Sequence, residues 1–176
     1  NIQFGLDYRS LMPTNLYGPG DLFDLENSHV LPALISKFVD AVESNKKEVV
    51  VWGSGMARRE FLHVDDLATA AVYFLNMDSN KFWKKNNKNI SHINIGTGID
   101  ISIYELACLI KKITNYEGEI FLDKTKPDGM PQKLLDIDKA LSFGWHPQTA
   151  FTEGLTNTVN WYKKNKANNL VRGLKR

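Results

Sequence analysis

Residues 12–34, MPTNLYGPGDLFDLENSHVLPAL, run from an apolar approach through a loop crowded with hydrogen-bonding groups into an amphipathic segment. Just before the loop, residues 8–12 (YRSLM) read as a short strand, stopped by Pro13 and by the Gly18-Pro19-Gly20-Asp21 turn. Ser28 then stands as an N-cap. Val30, Leu31, Leu34, Ile35, Phe38, Val39 and Val42 recur at steps of three and four, which predicts a helix over 28–44 with one buried stripe. Pro32 falls in its first turn, where a missing N–H matters little. Strand, polar loop and helix make the repeating unit of an α/β fold, and ligands of open α/β sheets sit in crevices beyond the carboxyl ends of the strands.

The same alternation continues along the chain. Residues 48–52 (EVVVW) are a β-branched run bounded by glycine, hence a strand, and residues 65–76 form a helix with an acidic start. The lysine- and asparagine-rich stretch 80–89 breaks the pattern and is expected to be an exposed loop. Residues 93–95 are a strand, followed by Gly96-Thr97-Gly98. The sequence Ser102-Ile103-Tyr104-Glu105 is a capping box that opens a helix with Leu106, Ile110 and Ile113 inward. A further strand at 119–122 and helices at 138–143 and 152–164 complete an α/β or α+β pattern without internal repeats.

With 176 residues, 43% hydrophobic and 24% charged, the chain can bury one core and has neither the charge excess nor the low complexity of a disordered protein. No run approaches the roughly 20 apolar residues of a membrane span and no signal pattern opens the chain, so a cytoplasmic protein without a membrane partner is expected. The net charge of +2 conceals an asymmetry, for Lys163, Lys164, Lys166, Arg172, Lys175 and Arg176 follow Tyr162 with no acid among them. This tail is read as a solvated, partly frayed terminus rather than a nucleic-acid contact. The lone Cys108 excludes an internal disulfide and reads as a small core residue of its helix. The chain opens on Asn1 and enters an apolar run at once, as part of something longer would.

Three segments carry candidate chemistry. Gly53-Ser54-Gly55 and Gly96-Thr97-Gly98 both follow strands, but a dinucleotide fingerprint needs a third glycine three residues on, where Arg58 and Ile101 stand instead. No two of the four histidines have the helical spacing of a metal pair, and no metal site is expected. His29, just after the cap, faces the positive end of a helix dipole, an environment suited to proton exchange. Thr14, Asn15, Asn27 and the backbone of Leu16 and Tyr17 add polar groups nearby, although a histidine at a helix start also occurs for structural reasons. In WGSGMARREFLHVDD (52–66) an indole and two arginines suit a base and phosphate oxygens; equally, an arginine there could merely pair with Asp65 or Asp66. LDKTKPDGMPQK (122–133) is either a solvated connector or a loop whose Asp128 meets ligand hydroxyls while a lysine faces phosphate.

Together with SHINIGTG (91–98) and LLDIDKALSFGWHPQTAFTEGL (134–155), these segments resemble the GDP-L-fucose synthases, a branch of the extended short-chain dehydrogenase/reductases, over nearly the whole chain. The RREFLHVDD and NIGTG strings are common across that superfamily. MPTNLYGP followed by NSHVLPAL, and the KPDG loop, are specific to the branch. The resemblance implies an α/β chain over residues 1–176, the C-terminal part of an extended Rossmann fold interleaved with a mixed α/β substrate-binding lobe. It implies NADPH as cofactor, GDP-4-keto-6-deoxy-D-mannose as substrate and a homodimer. By the same resemblance Pro13, Thr14, Asn15 and Leu16 line the nicotinamide side of the cofactor. His29 lies beside cofactor and sugar as the acid of epimerisation at C3 and C5. Lys37, Trp52, Arg59 and Asp128 contact the nucleotide sugar. The family's glycine-rich loop, its serine, its tyrosine–lysine pair and its reactive cysteine match positions upstream of Asn1, so Cys108 is not that cysteine and the isolated chain is expected to be inactive. Gln132 stands where the KPDG loop usually has an arginine. Other sugar-nucleotide epimerases or reductases, and a non-catalytic nucleotide-sugar-binding module, are the competing readings.

Overall fold

The computed structural model describes residues 1–25, 27–86, 89–168 and 170–173. Strand β1 (Ser10–Pro13) begins two residues later than read and takes in Pro13, and the chain continues extended through Thr14 into β2 (Asn15–Tyr17). Helix α1 (Val30–Glu43) begins one residue later than the cap reading implied. Its N-cap is His29, because the Ser28 hydroxyl donates back to the Asp24 carbonyl instead of reaching forward. The stripe is otherwise as read, with Leu31, Leu34, Ile35, Phe38 and Val39 buried, while Val42 is exposed. Strand β3 (Glu48–Trp52) buries Val49 and Val51. Strand β4 (Arg58–His63) was not legible, since its first three residues are charged. It leads directly into α2 (Val64–Asn76), capped by His63 Nδ1, which accepts from the Asp65 N–H at 3.3 Å.

The stretch expected as an exposed loop instead contains α3 (Ser79–Lys85). Asp78 caps it by accepting from Lys81 N–H at 2.9 Å, and Phe82 is fully buried under the Arg9 guanidinium, 4.6 Å above its ring. Packing of the Phe82 ring against Trp83 and Phe143 outweighs a polar composition here; residues 87 and 88 lie outside the described residues. Then come β5 (His92–Ile95), β6 (Asp100–Ser102) and α4 (Ile103–Thr114), which has the predicted capping box at Ser102 and Glu105. Cys108 corrects the sequence reading. It is exposed on α4, because the buried face runs through Leu106, Ala107 and Ile110. Strands β7 (Glu119–Asp123) and β8 (Gln132–Lys133) and helices α5 (Asp138–Ser142) and α6 (Phe151–Ala167) complete the chain.

The tail is not frayed as far as it is described. Lys166 pairs with Asp40 and Glu43 of α1, and Phe23 N–H donates to the Arg172 carbonyl at 3.1 Å. Burial pulls the Lys166 ammonium down, but its bonds to the two carboxylates prevail and hold it above the ordinary lysine value. Lys175 and Arg176 lie outside the described residues.

Parallel pairings dominate the α/β fold: β1 with β5, β2 with β4, β3 with β7 and β8 with β4, while β4 and β6 are antiparallel. One core gathers α1, α4 and α6 around Phe38, Leu106, Ile110, Leu155 and Tyr162. A second lies about β5, with Ile93, Ile95, Phe74, Phe82, Phe143 and Trp145. The two meet along β4, where consecutive side chains point to opposite faces: Phe61 enters the first core and Leu62 the second. Each such side chain contributes roughly 1.5–3 kcal/mol on burial. This strand therefore fixes the loops at its edges firmly enough to shape a site.

Candidate functional site

At the ends of β1 and β2 opens a cleft of about 950 Å³, within the size range of small-molecule sites. Residues 13–21 form one stretch of its wall and residues 130 and 132–135 another, with His29 and Val64 between the elements. The structure thus brings together Pro13, Thr14, Asn15, Leu16 and His29. His29 is exposed at the N-terminus of α1; its carbonyl accepts from Ala33 N–H at 3.1 Å, but its imidazole makes no cap bond and among the described residues the ring has no hydrogen-bond partner. That leaves both ring nitrogens available to a ligand.

The polar side chains of the loop behave differently from the sequence reading. Asn15 Nδ2 donates to the Glu60 carbonyl at 2.8 Å and Thr14 Oγ1 to the same oxygen at 3.3 Å. Asn27 Nδ2 donates to Asp24 Oδ1 at 3.0 Å. These groups hold the loop's shape rather than standing free.

Both glycine pairs are closed on the protein's own carboxylates. Thr97 and Gly98 N–H groups donate to Glu60 Oε1 at 2.6 and 2.8 Å, and a Cβ on Gly96 would lie 2.2 Å from that oxygen. Ser54 N–H donates to Asp128 Oδ1 at 2.8 Å, and a Cβ on Gly53 would lie 2.3 Å from it. Neither turn offers an open cradle for a pyrophosphate. Among the described residues the open wall along Pro13 to Leu16, and neither glycine turn, leaves room for part of a ligand.

Lys37, Trp52 and Asp128 do not line the cleft; they form a second cluster. Trp52 is 60% exposed, and the Lys37 and Lys126 ammonium groups each lie 5.4 Å from its ring centre. Lys37 Nζ also donates to the Val50 carbonyl at 2.9 Å, and burial lowers its pKa from the ordinary value. An open indole face with two cations beside it suits a nucleobase and its phosphates. Arg59 lies behind the cleft wall at Met130: its guanidinium donates to the Met130 carbonyl at 2.6 Å and to that of Arg58 at 2.7 Å, and among the described residues it has no carboxylate partner. The pairing considered with Asp65 or Asp66 is absent. Arg58, not Arg59, is the paired arginine, with Asp100 at 2.8 Å and Glu105 at 3.4 Å. Buried Asp66 accepts from Gln148 and Thr149 N–H groups instead. Gln132 lines the cleft and donates its side-chain amide to Asp100. Sequence reasoning missed the burial of Glu60 and did not single out Lys126 from Lys133 in the 122–133 loop. Nothing in RREFLH marks a charge destined for full burial, and Lys126 was one unspecified lysine of its loop.

The model of the NAD dependent epimerase/dehydratase family matches residues 1–96. The chain is 48% identical over 166 residues to GDP-L-fucose synthase of Escherichia coli (strain K12), covering 94% of this chain and 51% of that protein. It is 50% identical over 167 residues to GDP-L-fucose synthase 1 of Arabidopsis thaliana, covering 95% and 49%. Among solved structures, a GDP-6-OMe-4-keto-L-xylo-heptose reductase from C. jejuni is 36% identical with a TM-score of 0.82, over 94% of this chain and 56% of that one. A GDP-L-fucose synthetase from Naegleria fowleri bound to NADP is 30% identical with a TM-score of 0.78, over 90% and 47%. The chain spans about half the length of the curated relatives it matches. By its family match and its shared α/β fold, the chain belongs to the NAD dependent epimerase/dehydratase family.

Proposed function

We propose that this chain is the substrate-binding half of a GDP-L-fucose synthase, an enzyme that epimerises GDP-4-keto-6-deoxy-D-mannose at C3 and C5 and reduces it at C4. The observation that carries the reading is the cleft itself: an unbonded imidazole, His29, stands across strand ends from Pro13, Thr14, Asn15 and Leu16, with an aromatic and cationic cluster a loop away. His29 gives and takes the proton at the epimerising carbons, a task to which an unbonded imidazole is suited. Trp52 lies against the guanine, Lys37 and Arg59 face the diphosphate, and Asp128 holds the 53–54 turn that carries Trp52 into place. NADPH supplies the hydride for C4 when bound along residues 13–16. The pair β1 and β5 provides the last strands of the cofactor-binding sheet, and the rest of the cofactor cradle comes from a further half. The whole enzyme works as a cytoplasmic homodimer; no described helix is long and apolar enough to cross a membrane.

The similarity to a GDP-heptose reductase supports a second reading, reduction of another 4-keto GDP-sugar in the same cleft. Calorimetric titration of the chain with GDP and UDP tests the nucleotide part of both readings. Saturable GDP binding, lost on Trp52→Ala, is expected; equal binding of UDP or none of GDP would refute it. Turnover of GDP-4-keto-6-deoxy-D-mannose against 4-keto heptose analogues by the assembled enzyme separates the two.

A further inference from the structure

Glu60 is fully buried in the middle of β4, yet the proposed reaction gives it no role. A carboxylate without solvent is tolerable only when protein donors surround it. Here two separate segments supply the carboxylate's donors, and a third bonds the residue's backbone carbonyl. Oε1 accepts from the N–H groups of Thr97 and Gly98 at 2.6 and 2.8 Å and from Thr97 Oγ1 at 3.4 Å. Oε2 accepts from Leu135 N–H at 2.9 Å. The residue's own carbonyl accepts from Asn15 Nδ2 and Thr14 Oγ1. Thr14 and Asn15 belong to one stretch of the cleft wall and Leu135 to the other. One residue on a strand locked between two cores therefore holds both stretches, through its backbone on one side and its carboxylate on the other.

We infer that Glu60 is a positioning residue for the sugar end of the cleft, fixing the spacing between the Thr14–Asn15 and Leu134–Leu135 walls; this rests on the reading of that cleft as the sugar site. The nucleotide end, at Trp52 and its two lysines, is held by other bonds: Lys37 to the Val50 carbonyl and Asp128 to Ser54. Loss of the clamp therefore loosens one end of the ligand and spares the other.

Glu60→Gln tests this with little change of volume. The variant retains one acceptor oxygen, which the Thr97–Gly98 turn claims with its two N–H donors. The amide NH2 then opposes the Leu135 N–H, donor against donor. In the full 176-residue chain, amide exchange at Leu135 should accelerate at least tenfold while Thr97 and Gly98 stay protected. Affinity for GDP-mannose, a hexose on the same nucleotide, should fall about tenfold, the worth of one charge-assisted bond, while affinity for GDP stays within about twofold. A destabilised fold would lower both affinities alike. Should Glu60→Gln not fold, Glu60→Asp carries the same readouts, since its shorter side chain cannot span turn and wall together. Unaltered Leu135 exchange, or equal losses for GDP and GDP-mannose, overturns the clamp. A wild-type chain that binds neither ligand sinks the sugar-site reading and the clamp's function with it, whereas wild-type binding followed by equal losses sinks the clamp alone.

Discussion

The His29 ring stands open because of what it lacks. It caps α1 through its backbone position only, so its ring is not tied to the helix as the His63 ring is tied to Asp65. In the assembled enzyme, His29→Gln should slow solvent-deuterium entry at C3 and C5 by about 100-fold or more, the usual weight of a general acid, with cofactor affinity nearly unchanged. Undiminished exchange would remove it from the chemistry. Arg59 is held by two carbonyls and no carboxylate, which leaves its charge for a ligand. Arg59→Ala should weaken GDP binding by about tenfold in the isolated chain, against little change for Arg58→Ala, whose partner is Asp100. At this scale the sequence was readable for position: His29 at the mouth of α1 and Trp52 at the end of β3 stand where the pattern put them. It was silent where burial is decided by distant donors. Glu60 reads as one more surface charge until the amides of residues 97, 98 and 135 are seen around it.

Among the elements, α1, β3 and α4 were legible because each has a clean period or a cap, and their local preferences agree with their tertiary setting. Strands β2, β4, β6 and β8 were not. They are short or charged, and pairing with one another, not propensity, makes them strands. Helix α3 escaped notice for a related reason: its stability comes from Arg9, far away in sequence. That guanidinium is 11% exposed, donates to the last carbonyls of α2 at Phe74 and Met77, and covers the Phe82 ring. Arg9→Ala should lower unfolding free energy by about 2–3 kcal/mol, measured by urea denaturation, since it strands two helix-end carbonyls. Asp7 completes the corner. Its hydrogen bond to Arg9 holds its carboxyl down at about 2, below the ordinary 3.8. A depressed carboxyl contributes stability that is complete above its unfolded pKa and is lost as pH falls through the folded one. The thermal midpoint should therefore decline between about pH 4 and pH 2. In Asp7→Asn that decline should flatten, and an identical acid profile would show the pair to be inert.

For the molecule as a whole, β1 leaves an apolar margin. Met12 is exposed on the strand, Ile2, Phe4, Leu6 and Tyr8 are exposed ahead of it, and among the described residues β1 pairs only with β5. An unpaired edge with apolar side chains invites another chain. Sedimentation of the isolated chain should show self-association that rises with concentration, and Met12→Lys should suppress it; a monodisperse wild type at high concentration would refute this.

The two ends of the site also differ in how they meet the surrounding electrolyte. Trp52 and Lys126 are exposed and Lys37 is only partly buried beside them, whereas the Glu60 bonds lie where mobile ions do not reach. With a Debye length of roughly 10 Å at 0.1 M and 3 Å at 1 M, added sodium chloride shields the first and leaves the second untouched. On the proposed reading ionic strength thereby becomes a dial acting on one half of the ligand: affinity for GDP should slacken in brine, while the extra affinity contributed by the hexose of GDP-mannose should stay as it was.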